Sequence, residues 1–176
     1  MAPLESTREK PAFTHALIHG ALAVCTALFL TSHYAWDLTA RAAAGILNLA
    51  HVKTVYISPL SPMQVKLMDG TLACFHVLLE CSGLVTVAIF SFIFTFTIGL
   101  LKGSLLNKIV WFLLSIGIGV LWNINRLAFV IIVAYNFGLS TFSFTHYLVG
   151  PFIDFLWVVS MWSLGMSWTR REERLA

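Results

Sequence analysis

Long apolar stretches separated by short polar connections dominate the pattern of this chain. Apolar runs cover about residues 16–36, 72–101, 109–123 and 148–168. Each approaches or exceeds the roughly 20 apolar residues that cross a bilayer core as a helix. A further apolar segment, residues 127–139, is short and is interrupted near its end. The pattern predicts an all-α integral membrane protein with four to five transmembrane helices.

The one long polar connection covers residues 37–70. Its first half carries apolar residues at helical spacing, namely Leu38, Ala42, Ile46 and Leu49. This spacing predicts an amphipathic helix on the membrane surface. The second half contains Pro59, Pro62 and a short alternating run, which predict an extended or hairpin-like segment in a short extracytoplasmic loop.

Basic residues collect near the ends of the predicted spans. They precede the first span, separate the second from the third, and follow the last: Arg8, Lys10, Lys102, Lys108, Arg170, Arg171 and Arg174. Because Lys and Arg favour the cytoplasmic side of short loops, both termini are expected inside, and the number of full crossings should be even. We therefore expect residues 127–145 to form a re-entrant or interfacial helix. The sequence leaves open whether this segment crosses fully and whether the first span is cleaved as a signal peptide.

Composition supports the membrane interpretation. The chain is 59% hydrophobic and 11% charged, against about 25% charged in soluble domains, and its mean hydropathy is +0.85. Residues 1–176 fit a single membrane domain, which we place in the cytoplasmic (inner) membrane as a multi-pass protein. The net charge of +3 lies mostly near span ends, which suits membrane orientation better than nucleic-acid binding. The three cysteines give no disulfide framework and no CxxC metal pair.

Three residues near the predicted outer face carry candidate chemistry. Arg126 lies in apolar surroundings, where a charge usually marks function or a paired structural role. Cys81 and His146 supply a thiol and a base. A thiolate is the working nucleophile of cysteine enzymes, and a nearby cation stabilises it or the oxyanion that forms on an attacked carbonyl.

Four neighbours are candidates for supporting roles: Glu80, Gly83, Asn123 and Asp154. Gly83 allows a close backbone approach. Asp154 follows His146 by about two helical turns, so it would either orient the imidazole or neutralise Arg126, or it would pair elsewhere.

These residues resemble the motifs of the exosortase/archaeosortase family of membrane transpeptidases. Residues 80–83 (ECSG) look like its (A/E)CSG block, residues 123–126 (NINR) resemble its NxxR block, and His146 matches its third catalytic position. The resemblance covers about residues 55–165. The glutamate before the cysteine departs from the alanine common elsewhere, and the chain is shorter than many members.

The resemblance implies a cysteine peptidase or transpeptidase that processes C-terminal sorting signals of exported proteins. Such signals consist of a short motif, a transmembrane helix and a basic tail. Cys81 would be the nucleophile, His146 the general base and Arg126 the stabiliser of thiolate or oxyanion, while Asn123 would fix the turn that bears Arg126. A thioester acyl-enzyme would be resolved by an acceptor amine or by water. We expect no metal, no cofactor and no nucleic-acid partner.

Two other classes of function fit the same residues. In a small transporter or channel subunit, Arg126 and Asp154 would form a substrate or ion site, and Cys81 would be dispensable. In a catalytically inactive assembly scaffold, all the candidate residues would be dispensable.

Overall fold

The computed structural model describes residues 10–57, 62–79, 81–101 and 104–175, and only the backbone of residues 10–13 and 172–175. The described chain is mostly helical. Its helices are α1 (Lys10–Leu30), α2 (His33–Leu49), α3 (Leu84–Thr97), α4 (Leu105–Phe144) and α5 (Gly150–Leu175). Its strands are β1 (Thr54–Val55), β2 (Met63–Lys66) and β3 (Leu72–Phe75), and a π-helical turn (Thr145–Val149) precedes α5.

The helices α1, α3, α4 and α5 form an antiparallel bundle. The Thr95 hydroxyl of α3 donates to the carbonyl of His19 in α1 at 3.1 Å, and the Ser91 hydroxyl lies 3.5 Å from the carbonyl of Ala23. Residue numbers therefore rise along α3 as they fall along α1. Likewise the indole of Trp157 in α5 packs against Gly119 of α4. The core of this bundle is aromatic: Phe90, Phe94, Phe112 and Trp157.

One end of the bundle collects the start of α1, the end of α3, the start of α4 and the end of α5. The Trp111 and Trp168 rings stack with centroids 6.1 Å apart, and the buried ammonium of Lys108 donates to the carbonyl of Gly99 at 3.2 Å and to that of Leu101. Lys108 therefore binds the carbonyls after α3 instead of lying free in a loop, which weakens it as a topology signal. The start of α1 and the end of α5 nevertheless lie at the same end of the bundle.

The strands form a small antiparallel sheet in the order β1–β2–β3. Residues 63–66 and 72–75 alternate between buried and exposed positions, so one face of the sheet is apolar. That face packs against α2 and the second half of α4, and its neighbours are mostly small: Ala40, Ala43, Ala44, Ala128 and Ala134. The predicted hairpin is thus confirmed by the pairing of β1 with β2.

The all-α prediction missed this sheet, and it placed the start of the second span too early. Residues 72–75 are a strand, and helix α3 begins only at Leu84. The reason is a tight β2–β3 turn, in which the Asp69 carboxylate accepts the amide N–H of Thr71 at 2.8 Å and Gly70 has a φ of 87°. The Asp-Gly pair is a hairpin signal that was present in the sequence.

Helix α4 continues through the point where the third span was expected to end. Residues Leu105 to Phe137 form one helix, about 50 Å long at 1.5 Å per residue. Residues 127–137 therefore continue α4 and are not a separate helix as predicted, while their predicted re-entrant or interfacial position in the membrane stays a prediction. The break comes at Gly138, whose φ of 82° and ψ of 175° few other residues adopt. After it the chain reverses, so α5 runs antiparallel to α4.

The structure of the first 50 residues differs from the prediction in one respect. The first apolar run, residues 16–36, is broken at residues 31–32, where α2 follows α1 at a bend of 62°.

The helix predicted for the first half of the polar connection is confirmed as α2. Its alanine face is buried, because alanine lets α2 approach α4 closely, whereas Leu38 and Leu49 are exposed. This exposure agrees with an apolar face turned toward a membrane surface, and the position of α2 on the membrane stays a prediction.

By length and composition, one continuous helical stretch in the described residues, Leu105–Arg171, is apolar enough to cross a membrane, and the bent α1–α2 pair would make a second. Helix α3 is apolar but shorter. The predicted four to five crossings therefore stay a prediction.

Candidate functional site

Cys81 lies in a tight turn between the sheet and α3. The amide N–H groups of Cys81 and Ser82 both donate to the carbonyl of Leu78, at 3.1 and 2.9 Å. The Ser82 hydroxyl donates to the Leu79 carbonyl at 2.7 Å and accepts the N–H of Leu84 at 3.3 Å. The turn therefore fixes the half-buried Cys81 immediately before the amino-terminal end of a helix, where the helix dipole favours negative charge.

Gly83 is a position in this turn that has no room for a side chain. Its φ is 69°, and a Cβ atom built on it would lie 1.7 Å from the Asn123 side-chain oxygen and 3.1 Å from Nη2 of Arg126. The Asn123 amide nitrogen donates to the Gly119 carbonyl at 2.9 Å, so its orientation is fixed. The close packing of Gly83 against Asn123 and Arg126 joins the two sequence blocks in space.

Arg126 reaches from the middle of α4 to both the cysteine turn and α5. Its Nη2 donates to the backbone carbonyl of Cys81 at 3.2 Å, and its Nη1 forms an ion pair with Oδ2 of Asp154. The two side chains are only 9% and 7% exposed. The sequence left three roles open for Asp154. In the structure it forms an ion pair with Arg126.

His146 lies in the π-helical turn before α5. Its ring stacks on Phe142, with centroids 5.4 Å apart and planes 4° apart, and meets Tyr147 edge-on. π-Helical turns are frequent at functional sites because the extra residue redirects side chains. Here the stacking fixes the orientation of a half-buried imidazole.

Two cavities meet at Cys81 and His146. The larger, about 510 Å³, also contains Arg126 and Asp154 and continues between α3 and α5. The smaller, about 180 Å³, lies between the end of β3 and the second half of α4. Tyr147 is common to both. The thiol, the imidazole and the guanidinium predicted from the sequence thus line one continuous site, whereas Glu80 lies outside the described residues.

Sequence reasoning missed several residues of this site. Ser82 holds the cysteine turn, Tyr147 lines both cavities, and Cys74 and His76 line the smaller one. Ser82 belongs to the ECSG block and could have been identified from the sequence. Tyr147, Cys74 and His76 are neighbours of the site only through the tertiary fold. Cys25 is exposed on α1, away from both cavities. Among the described side chains, no group of three or more His, Cys, Asp or Glu is arranged to hold a metal ion.

Comparison with known proteins identifies the family. A family model described as transmembrane exosortase matches residues 11–163. The match begins well before the predicted core of residues 55–165, so α1 and α2 also belong to the shared part. No curated protein and no solved structure matches the chain. The family consists of membrane enzymes of the cysteine peptidase and transpeptidase type.

The matched region contains nearly all of α1, all of α2, α3 and α4, and about half of α5, together with both cavities and every candidate residue. The resemblance inferred from the ECSG and NINR blocks is therefore confirmed, and the chain belongs to the transmembrane exosortase family.

Proposed function

We propose that the protein is a cysteine-type transpeptidase or peptidase that cleaves the C-terminal sorting signals of exported proteins. The observation that carries the proposal is the convergence of Cys81, Arg126 and His146 on one cavity. In this proposal the protein is a multi-pass protein of the inner membrane, and the site faces the extracytoplasmic side. Arg170 and Arg171, near the end of α5 at the opposite end of the bundle, support that orientation.

Cys81 acts as the nucleophile. His146 takes the proton of the Cys81 thiol, and the thiolate attacks the scissile carbonyl carbon. The tetrahedral intermediate then collapses with loss of the tail amine, which takes that proton from the His146 imidazolium. The resulting thioester is attacked by an acceptor amine or by water, whose proton passes to His146, and the thiol is regenerated. The helix amino terminus beside Cys81 favours the negative charge of the thiolate.

Arg126 has two roles in this proposal. Its hydrogen bond to the Cys81 carbonyl holds the nucleophile turn against α4, and its charge stabilises the thiolate or the developing oxyanion. Asp154 holds the guanidinium in place, and Asn123 and Gly83 allow the close approach that this arrangement needs.

The larger cavity supports a helical substrate tail. It is lined on α3 by Val85, Ile89 and Ile93, spaced by four residues and hence on one face of the helix. On α5 it is lined by Pro151, Phe155 and Val158. An apolar substrate helix lying along this groove would present the peptide bond before it to Cys81.

The test is co-expression with a candidate exported protein that ends in a motif, an apolar helix and a basic tail. The active protein shortens this substrate on a gel, and hydroxylamine releases an acyl group from Cys81. Cys81→Ala and His146→Ala lose processing, whereas Cys25→Ala, the matched control at an exposed cysteine of α1 outside both cavities, retains it. Processing that is unchanged in Cys81→Ala contradicts the proposal.

A further inference from the structure

Strand β3 has one edge that is unpaired in the described part of the chain. The sheet order makes β3 an outer strand, and its pairing with β2 sets Ala73 opposite Val65. Continuing this register, Leu67 lies opposite Thr71, and its N–H donates to the Thr71 carbonyl at 2.8 Å. Hydrogen-bonded pairs alternate along an antiparallel ladder.

This alternation decides which groups face outward. Because residues 71, 73 and 75 turn their N–H and C=O groups toward β2, those of Leu72 and Cys74 point to the open edge. An extended peptide binds such an edge through its own backbone, as in other cases of strand addition.

The open strand leads directly to the candidate nucleophile. The end of β3 and the residues after it, Cys74 to Val77, form one wall of the smaller cavity, and Cys81 and His146 lie in the same cavity. Leu127 and Ile131 of α4 make the opposite wall apolar. A cavity of about 150 Å³ holds one benzene-sized group, so the volume of about 180 Å³ suits a single apolar side chain.

We propose that the substrate residues upstream of the scissile bond bind along β3 as a fourth strand and insert one apolar side chain into the smaller cavity. This inference rests on the proposed function and extends it, because it assigns the substrate segments on the two sides of the scissile bond to different surfaces. The upstream motif is extended and lies against the sheet, while the downstream helix lies between α3 and α5. The smaller cavity then selects the side chain next to the scissile carbonyl.

The test uses full-length protein in detergent micelles and a panel of short peptidyl chloromethyl ketones. The residue next to the reactive group is Gly, Ala, Leu or Phe, and alkylation of Cys81 is followed by mass spectrometry. We expect rates to differ by about tenfold or more across the panel, as for a fitted apolar pocket. Equal rates for all probes, or no reaction with any of them, overturn the inference.

Two variants locate the selectivity. Val77→Trp fills the smaller cavity and should lower the rate of the Leu probe by about tenfold while leaving the Gly probe nearly unchanged. Val110→Trp, the matched control at an exposed position of α4 outside both cavities, should change neither. Equal effects of the two substitutions contradict the assignment.

Methylated probes test the strand. Methylation of one backbone nitrogen should slow labelling several-fold, and methylation of the next nitrogen should not, because only alternate groups face β3. If neither methylation, or both, slows labelling, strand addition is wrong.

Iodoacetamide separates this inference from the proposed function, because it alkylates Cys81 without needing a subsite. An unchanged iodoacetamide rate in Val77→Trp shows that the site is intact. If iodoacetamide labels Cys81 but the peptide probes show no selectivity, only the proposed subsite is wrong. If substrate processing survives in Cys81→Ala, the proposed enzymatic function is wrong.

Discussion

The sheet side and the bundle side of the molecule are packed by different residues. Around the sheet, alanines of α2 and α4 allow backbones to approach closely, whereas aromatic rings fill the bundle. The outward surfaces also differ in kind. The bundle exposes large apolar side chains such as Phe96, Leu113 and Phe155, while the sheet presents an open strand edge.

The difference indicates which region meets lipid. Open sheet edges do not occur in contact with hydrocarbon, because their backbone groups would lack partners, so we expect the sheet side to lie in the interface or in water. The exposed apolar surface of the bundle suits lipid. Helix α4 is long enough, at about 50 Å, to pass through a hydrocarbon core of about 30 Å and to continue into the sheet side.

The candidate site lies at the border of the two regions. Cys81 separates β3 from α3, and Arg126 is placed on α4 between Asn123 of the bundle and Leu127 of the sheet side. A substrate with a polar motif followed by an apolar helix would cross the same border. The comparison therefore supports the proposal that a peptide bond at that junction is the target.

Gly83 lets the cysteine turn, which links the sheet to α3, pack closely against Asn123 and Arg126 of α4. Its substitution should therefore have the largest effect on processing. Gly83→Ala forces a side chain against Asn123 at a positive φ, so the turn must move and processing should fall to background. Gly117→Ala is the control, because Gly117 lies in α4 with open space around it and alanine favours a helix. The gel assay for substrate shortening measures the activity of both variants. Full activity of Gly83→Ala would show that the site does not need the close packing at Gly83.

The ion pair at the border can be broken from one side. Asp154→Asn leaves a buried Arg126 uncompensated and should lower the free energy of unfolding by about 3–5 kcal/mol. The double variant Arg126→Met with Asp154→Leu should recover most of that stability, since apolar pairs often replace buried ion pairs without loss, but it should remain inactive. Thermal unfolding in detergent micelles measures stability, and activity in the double variant would remove Arg126 from the mechanism.

The close packing of the sheet side predicts sensitivity to larger side chains. Ala43→Leu should cost about 1–3 kcal/mol through overpacking between α2 and α4. Ala21→Leu, on an exposed face of α1, should cost little. Thermal unfolding compares them, and equal stability of the two variants would show that the sheet side is not tightly packed.

The smallest effect on stability is expected at the hydrogen bond that links the residue after β1 to α2. The Tyr56 hydroxyl donates to Asp37 at 2.9 Å, and Tyr56→Phe should cost about 1 kcal/mol. Burial, together with the hydrogen bond and charge of Asp37, raises the pKa of Tyr56 to about 12 from the usual 10.0. The contribution should therefore be complete below pH 10 and fade as the pH rises to 12. Unfolding of both proteins at pH 8 and pH 11 should show a smaller difference at the higher pH, and a constant difference would argue against this hydrogen bond.

Much of the site was predictable because it is encoded in short blocks. The residues of ECSG, NINR and the later histidine carry their chemistry by type, and the apolar runs indicate a membrane environment. The sequence could not assign Asp154, because helical spacing relates it only to His146, whereas Arg126 lies 28 residues earlier on another helix. Only the packing of α5 on α4 brings the Asp154 carboxylate to the guanidinium.

The chain by itself indicated the membrane character, an extended or hairpin-like segment where β1 pairs with β2, and the identity of the candidate reactive groups, since each depends on local hydropathy or residue chemistry. Tertiary structure alone decided that α4 continues through Arg126, that the alanine face of α2 is buried, and that β3 ends beside Cys81. The physical reason is that these outcomes depend on contacts between residues distant in sequence, where backbone approach and burial outweigh local preference.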